Sequence, residues 1–323
     1  MSTPILQVKN LTTRFRTDRG MVTAVDQVSF DVAPGETLAI VGESGSGKSV
    51  TALSILRLIP NPPGNIESGE ILFNGEDLLK MSDTKIRAIR GAHIAMIFQE
   101  PMSSMNPALT VGKQIAEPIH LHRRTPWRKA LNMARDLLGK VQIPDPANRV
   151  SAYPHQFSGG MRQRAMIAMG LACEPQLIIA DEPTTALDVT VQAQVLDLLK
   201  DLASSLNTAL ILITHDLGVV ARYADRVAVM YGGRIVEIAT AEELYDNPRH
   251  PYTRGLMESV PRIDGDTSRP LVPIDGQPPD LAAMPAGCAF MPRCKQAIEQ
   301  CRHSKPPLEQ VVQGHYKACF IND

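Results

Sequence analysis

The sequence carries almost no excess of either charge: 33 Lys and Arg stand against 34 Asp and Glu, a formal net charge of −1. That leaves no basic footprint for nucleic acid. Long apolar runs are lacking as well. No stretch approaches the ~18 residues of a membrane helix, so the chain is not expected to span a bilayer itself. Met1 to Asn10 lack the basic-then-apolar order of a secretory signal, and a cytosolic setting is the expectation. There is no internal repeat or low-complexity tract. Cysteine is sparse at five, yet Cys288, Cys294, Cys301 and Cys319 all fall in the last 36 residues. In a reducing compartment such a cluster reads as metal ligation sooner than as a disulfide framework.

What is present suits an ordinary globular chain. With 323 residues, 44% of them hydrophobic, there is material for about two domains at ~150 residues each. The opening third reads as strands joined by tight turns, at Ile5 to Val8, Val28 to Val32 and Glu70 to Phe73. Thr37 to Val41 is a further strand that runs into a Gly-rich loop. From about Ser82 to Ala172 helical periodicity dominates, as in Trp127 to Val141 with Leu131, Ala134, Leu138 and Val141 on one face. Leu177 to Ala180 and Ala209 to Ile213 flank an amphipathic stretch from Thr190 to Ala203, the pattern of a buried parallel sheet. Val227 to Ile238 reads as a hairpin turning at Gly232-Gly233. Eleven of the 25 prolines follow Asn247, and Arg262 to Pro285 reads as an extended connector.

Gly42-Glu43-Ser44-Gly45-Ser46-Gly47-Lys48-Ser49 fits G-x-x-x-x-G-K-[ST] between a strand and a helix. Glycines let backbone N–H groups ring a phosphate without Cβ clashes, and the following helix adds its positive end. Lys48 is a point charge for β- and γ-phosphate oxygens, and Ser49 supplies a hydroxyl to Mg²⁺. Leu177 to Ala180 ends in Asp181-Glu182, an acidic pair at the carboxyl end of a strand, where open α/β sheets bind ligands. Asp181 suits Mg²⁺ coordination and Glu182 suits a general base.

At this point the chain resembles the ATP-binding subunits of ABC transporters. Phe157-Ser158-Gly159-Gly160-Met161 is similar to their L-S-G-G-Q signature and lies 23 residues before Asp181. Ser158 can cap the helix beginning at Gly159, leaving N–H groups for an anion. The resemblance implies further roles. Gln99 would reach Mg²⁺ and the attacking water, His215 the γ-phosphate, and Phe15 the adenine ring. Thr185-Ala186-Leu187-Asp188 resembles the D-loop. The implied fold is an α/β P-loop cassette with an antiparallel β subdomain and a helical insertion, over residues 4–260, the helical part at about 100–172. A Cys-rich C-terminal extension, 261–323, follows. The implied cofactors are ATP and Mg²⁺, each nucleotide being sandwiched between two ATPase chains.

Asn247-Pro248-Arg249-His250-Pro251-Tyr252-Thr253 resembles the C-terminal segment of dipeptide and oligopeptide importers. That branch implies ATP hydrolysis driving peptide import from the cytoplasmic face of the inner membrane. Its partners are a second ATPase chain, homologous or identical, two transmembrane permeases and, indirectly, an extracytoplasmic solute-binding protein. Nickel or antimicrobial-peptide uptake, or a soluble ABC ATPase without transport, are the alternatives. Members of the branch with these cysteines resemble iron–sulfur proteins, so a [4Fe–4S] cluster leads, with Zn²⁺ or free or disulfide-linked thiols as alternatives. His303 and His315 read as solvated side chains that could replace a ligand. Cys173 reads as a small core residue.

Overall fold

The computed structural model describes residues 3–100, 104–184, 188–259 and 273–321. Much of the expected connector and the 260/261 boundary therefore lie outside the described residues, as do Pro101 to Ser103 and Thr185 to Leu187. The strands are β1 Leu6–Thr17, β2 Gly20–Val32, β3 Thr37–Val41, β4 Gly64–Phe73, β5 Glu76–Asp77, β6 Ile94–Ile97, β7 Leu177–Asp181, β8 Ala209–Thr214, β9 Arg226–Tyr231, β10 Arg234–Thr240, β11 Glu309–Val312 and β12 His315–Lys317. The chain divides into two compact units, one of residues 1–5, 33–36 and 80–212, the other of 6–32, 37–79 and 213–323.

In the second unit an antiparallel sheet has the order β2-β1-β4-β5. β1 and β2 stay paired from Leu6–Val32 to Thr17–Gly20, far beyond the apolar runs that mark them in the sequence. Register shifts near Leu11 and Thr13 rotate the inward positions, so no single alternation persists, while β-branched residues such as Thr12, Thr13 and Thr23 sustain the ladder.

β3 is buried at all five positions and pairs in parallel with β9, Leu38 to Arg226 through Val41 to Val229. β9 turns into β10 at Gly232-Gly233, whose φ values of 54° and 80° suit a two-residue hairpin. The last strands were not legible beforehand. β12 pairs antiparallel with β10, and β11 with β12. All four β11 residues are exposed, so the strand carries no apolar period to detect. Val41, Val229, Tyr231, Tyr252 and Phe290 share one apolar core, which joins the C-terminal extension to the strands beside the Gly-rich loop.

In the first unit β6 and β7 pair in parallel, Ile94 to Leu177 through Ile97 to Ala180, and β8 adjoins β7. Helices Val111–Arg123, Trp127–Lys140 and Gly159–Leu171 pack together. The helix Trp127–Lys140 buries Ala130, Ala134 and Leu138, with Val141 buried at its end, so the expected face holds except that Ala130 is buried where Leu131 is half-buried. Among the described residues no helix is long and apolar enough to cross a membrane.

Candidate nucleotide-binding and hydrolysis site

The Gly-rich loop leaves β3 and enters the helix Lys48–Ile55. Gly42 has φ 155°, and a Cβ there would strike the Met230 carbonyl at the end of β9. Gly47, with φ 100°, has no room for a Cβ against the Ala24 carbonyl. These two glycines are therefore set by backbone walls, whereas Ser44 and Gly45 form the exposed tip. Lys48 is only 5% exposed, and its Nζ donates to the carbonyls of Gly42 at 2.7 Å and Glu43 at 3.0 Å. Ser46 Oγ is buried without a hydrogen-bond partner. A cradle shaped against Cβ atoms, a lysine at its base and an orphaned hydroxyl fit a nucleotide's phosphates. Ser49, at the first turn of the helix, is half-buried.

In the first unit Asp181 is buried at the end of β7, and Glu182 follows with φ 44°, a left-handed conformation rare for a non-glycine residue. Gln99 Nε2 donates to Glu182 Oε2 at 2.9 Å. Two residues 83 apart in sequence, both expected in catalysis, thus meet. Ser158 caps the helix Gly159–Leu171 by accepting the Met161 N–H at 3.3 Å, as expected. Phe157, which stands for the usual leucine, is buried and so serves packing. A Cβ on Gly160 would come within 3.1 Å of Val191 Cγ1, so this glycine also sets the approach of the next helix. Asp188 caps that helix, Val189–Ser205, through the Val191 N–H at 3.0 Å. The rest of the expected D-loop, Thr185 to Leu187, lies outside the described residues.

In the second unit Phe15 is half-buried and lies over Gly64, whose Cβ would be 2.7 Å from the ring. His215 is exposed after β8, just before Asp216 caps the next helix through the Gly218 N–H at 2.8 Å.

Comparison with known proteins identifies the family. The family described as ABC transporter matches residues 25–185, and the oligopeptide/dipeptide transporter C-terminal region matches residues 236–301. A putative peptide import ATP-binding protein of Brucella melitensis is 52% identical, over 98% of this chain and 97% of its own. The chain belongs to the ABC transporter ATPases. The oligopeptide transport ATP-binding protein OppD of Bacillus subtilis is also 52% identical to this ABC ATPase, with 99% and 89% of the chains covered. A dimeric ATP-binding cassette solved in a post-hydrolysis state with ADP and Pi matches at TM-score 0.65 and 26% identity, over 73% of this chain and 98% of that one. ATP with Mg²⁺ is accordingly the cofactor pair of this ABC ATPase.

The cysteine extension departs from expectation. All five cysteines are free thiols. Burial pushes the Cys288, Cys294 and Cys319 thiols up, and neighbouring cysteines raise each of them further. Yet among the described residues no group of three or more His, Cys, Asp or Glu side chains could hold a metal ion. Cys288 and Cys294 pack on the apolar core around Phe290, while Cys301 is buried and its carbonyl accepts the Cys288 N–H at 2.8 Å. Among the described residues nothing therefore supports a [4Fe–4S] or Zn²⁺ centre. His315 is another correction: it is fully buried, with Nε2 2.7 Å from Glu237 Oε1 and Nδ1 3.3 Å from Glu243 Oε1. The solvated reading fits only His303, which is exposed beside Glu299. Cys173 is buried, as expected of a small core residue.

The sequence reading missed Arg293 and Tyr252, both of which hold Glu43 inside the phosphate loop. Neither lies in a nucleotide motif, and no periodicity links residues so far apart. Only the His-Pro-Tyr-Thr wording of the segment around Tyr252 drew notice to it.

Proposed function

We propose that this ABC ATPase powers the import of di- or oligopeptides, as the nucleotide-binding subunit of a membrane complex. The observation that carries the proposal is the near full-length similarity to peptide-import ATP-binding proteins, at 52% identity. The match of residues 236–301 to the oligopeptide/dipeptide transporter C-terminal region adds to it. In this reading residues 4–260 are the cassette and 261–323 the extension, and the chain acts peripherally at the cytoplasmic face of the inner membrane. Two transmembrane permeases and a second ATPase chain are its direct partners, and an extracytoplasmic solute-binding protein acts through the permeases.

Within the site, the Gly42–Ser49 loop binds the ATP phosphates, with Ser49 and Asp181 holding Mg²⁺. When bound, Mg²⁺ neutralises charge developing on the transferred phosphoryl group. Glu182 takes a proton from the attacking water, and Gln99, already hydrogen-bonded to Glu182, holds both in line. His215 contacts the γ-phosphate, Phe15 faces the adenine, and Ser158, Gly159, Gly160 and Asp188 serve a nucleotide shared with the opposing chain. The test is Glu182→Gln: ATP binding should persist while steady-state turnover falls by about two orders of magnitude or more. Turnover near the wild-type rate would refute the assignment of the base. Co-purification with multi-span membrane partners tests the transport role.

A metal at Cys288, Cys294, Cys301 and Cys319 is a separate proposal, supported by the clustering of the four cysteines in one short segment and opposed by the lack, among the described residues, of a group that could hold a metal ion. Iron and zinc analysis of anaerobically purified protein decides it. Protein free of both metals sinks it.

A further inference from the structure

The C-terminal extension reaches the phosphate loop through one side chain. Arg293, the residue before Cys294, is 5% exposed at its side chain and grips Glu43 with a two-pronged fork. Nη1 donates to Glu43 Oε2 at 2.7 Å and Nη2 to Oε1 at 3.1 Å. The remaining donors are engaged as well. Nε donates to the Asp275 carbonyl at 2.9 Å, Nη2 to the Ile274 carbonyl at 3.2 Å, and Nη1 to Tyr231 Oη at 3.3 Å. The plane of the guanidinium is thus fixed on every edge.

Glu43 is the second residue of the loop and is held at three points. Its carboxylate meets Arg293, its N–H donates to Tyr252 Oη at 2.9 Å, and its carbonyl accepts Lys48 Nζ at 3.0 Å. Behind it the rings of Tyr231, Tyr252 and Phe290 lie 4.5 to 5.4 Å apart, and Tyr231 follows Met230, the residue whose carbonyl walls Gly42. A loop rich in glycine loses more conformational freedom on ordering than other segments. Contacts that order it before the ligand arrives lower the cost of binding.

We propose that Arg293 is a positioning residue for the nucleotide: by fixing Glu43 it keeps the phosphate loop in its receptive form, so the C-terminal extension sets ATP affinity. The proposal rests on the reading of Gly42–Ser49 as the nucleotide loop. It takes nothing from the question of a metal at the cysteines.

The experiment measures MgATP dissociation constants and steady-state kcat and KM on the full chain. Arg293→Met keeps the apolar stem and removes the fork. Nucleotide Kd and KM should rise about tenfold with kcat within about twofold. Arg293→Lys should recover part of the loss, since a single ammonium replaces one prong. Glu43→Gln should give the same rise, with no further rise in the double variant. If Arg293→Met fails to fold, Glu43→Gln reads the same fork from the loop side. A lowered melting temperature with unchanged Kd makes the ion pair purely structural and overturns the proposal. Tighter binding would overturn it too, by making the contact a brake. Lys48→Ala separates the two levels: undiminished ATP binding there refutes the nucleotide loop itself, whereas lost binding beside a silent Arg293→Met refutes only the clamp.

Discussion

Glu43 and Glu237 are carboxylates of the same unit, both withdrawn from water, and they are held in opposite ways. Glu237 is fully buried on β10, where it accepts the N–H groups of Arg249 at 2.6 Å and His250 at 3.0 Å and meets His315 Nε2 at 2.7 Å. Burial works to raise its pKa, but hydrogen bonds from His315 and from those backbone amides outweigh it and hold the carboxyl below its ordinary value. Glu43 keeps a quarter of its side chain exposed and depends on a single cation, Arg293. The first carboxylate rivets the terminal hairpin and the His250 segment to the sheet through backbone amides and a histidine, and the second fastens the Gly-rich loop to the C-terminal extension through one side chain.

Removing the rivet should have the largest effect. Glu237→Ala takes away the partner of His315 Nε2 and of two backbone amides, and about 4 kcal/mol of stability should be lost in urea unfolding. ATP KM of the surviving folded protein should stay within about twofold, the reverse of the pattern for Arg293→Met. A large KM change in Glu237→Ala would erase the contrast between the two carboxylates.

Acid should loosen the same region next. Burial holds the His250 pKa down at about 4, with the Glu237 charge partly opposing the shift. The unfolded chain, with histidine near 6.5, therefore binds the additional proton between these values. Stability from this group is complete above about pH 6.5 and is lost as pH falls toward 4, by up to about 3 kcal/mol. Glu237 adds its own loss once pH falls through its depressed folded value. Melting temperatures recorded from pH 7.5 to 4.5 check this, and His250→Asn, whose Oδ1 can still accept the Tyr252 N–H, should flatten the slope. An equally steep profile in His250→Asn would rule the residue out as its source.

The smallest effect is expected at the junction of the two systems. Tyr252→Phe removes the acceptor for the Glu43 N–H and keeps the ring stack, so about 1 kcal/mol should go and ATP KM should rise about twofold. No change in either quantity would mean that the carboxylate fork alone holds the loop.

The candidate nucleotide site was legible in the sequence because each part is local. A buried strand, turn glycines and Lys48 sit within about a dozen residues, and Asp181-Glu182 ends an apolar run. The meeting of Gln99 with Glu182 followed from two strand ends, each readable alone. The Glu43–Arg293 fork was not legible, since its partners are 250 residues apart and a polar contact imposes no period on the chain. The β11–β12 hairpin was missed because β11 is exposed throughout and β12 buries polar residues, His315 and Lys317, so neither strand shows an apolar period, and β1 and β2 read short because register shifts scramble their pattern. The cysteine spacing pointed to four thiols around a metal, but spacing alone does not fix where each side chain packs.

Gly160 has one more consequence. Its bare Cα lets the helix beginning at Ser158 rest on Val191, in the first turn of the helix that Asp188 caps. The two helix starts are packed closely at this point, and a methyl group at position 160 would press on Val191 Cγ1, which would have to give by a few tenths of an ångström.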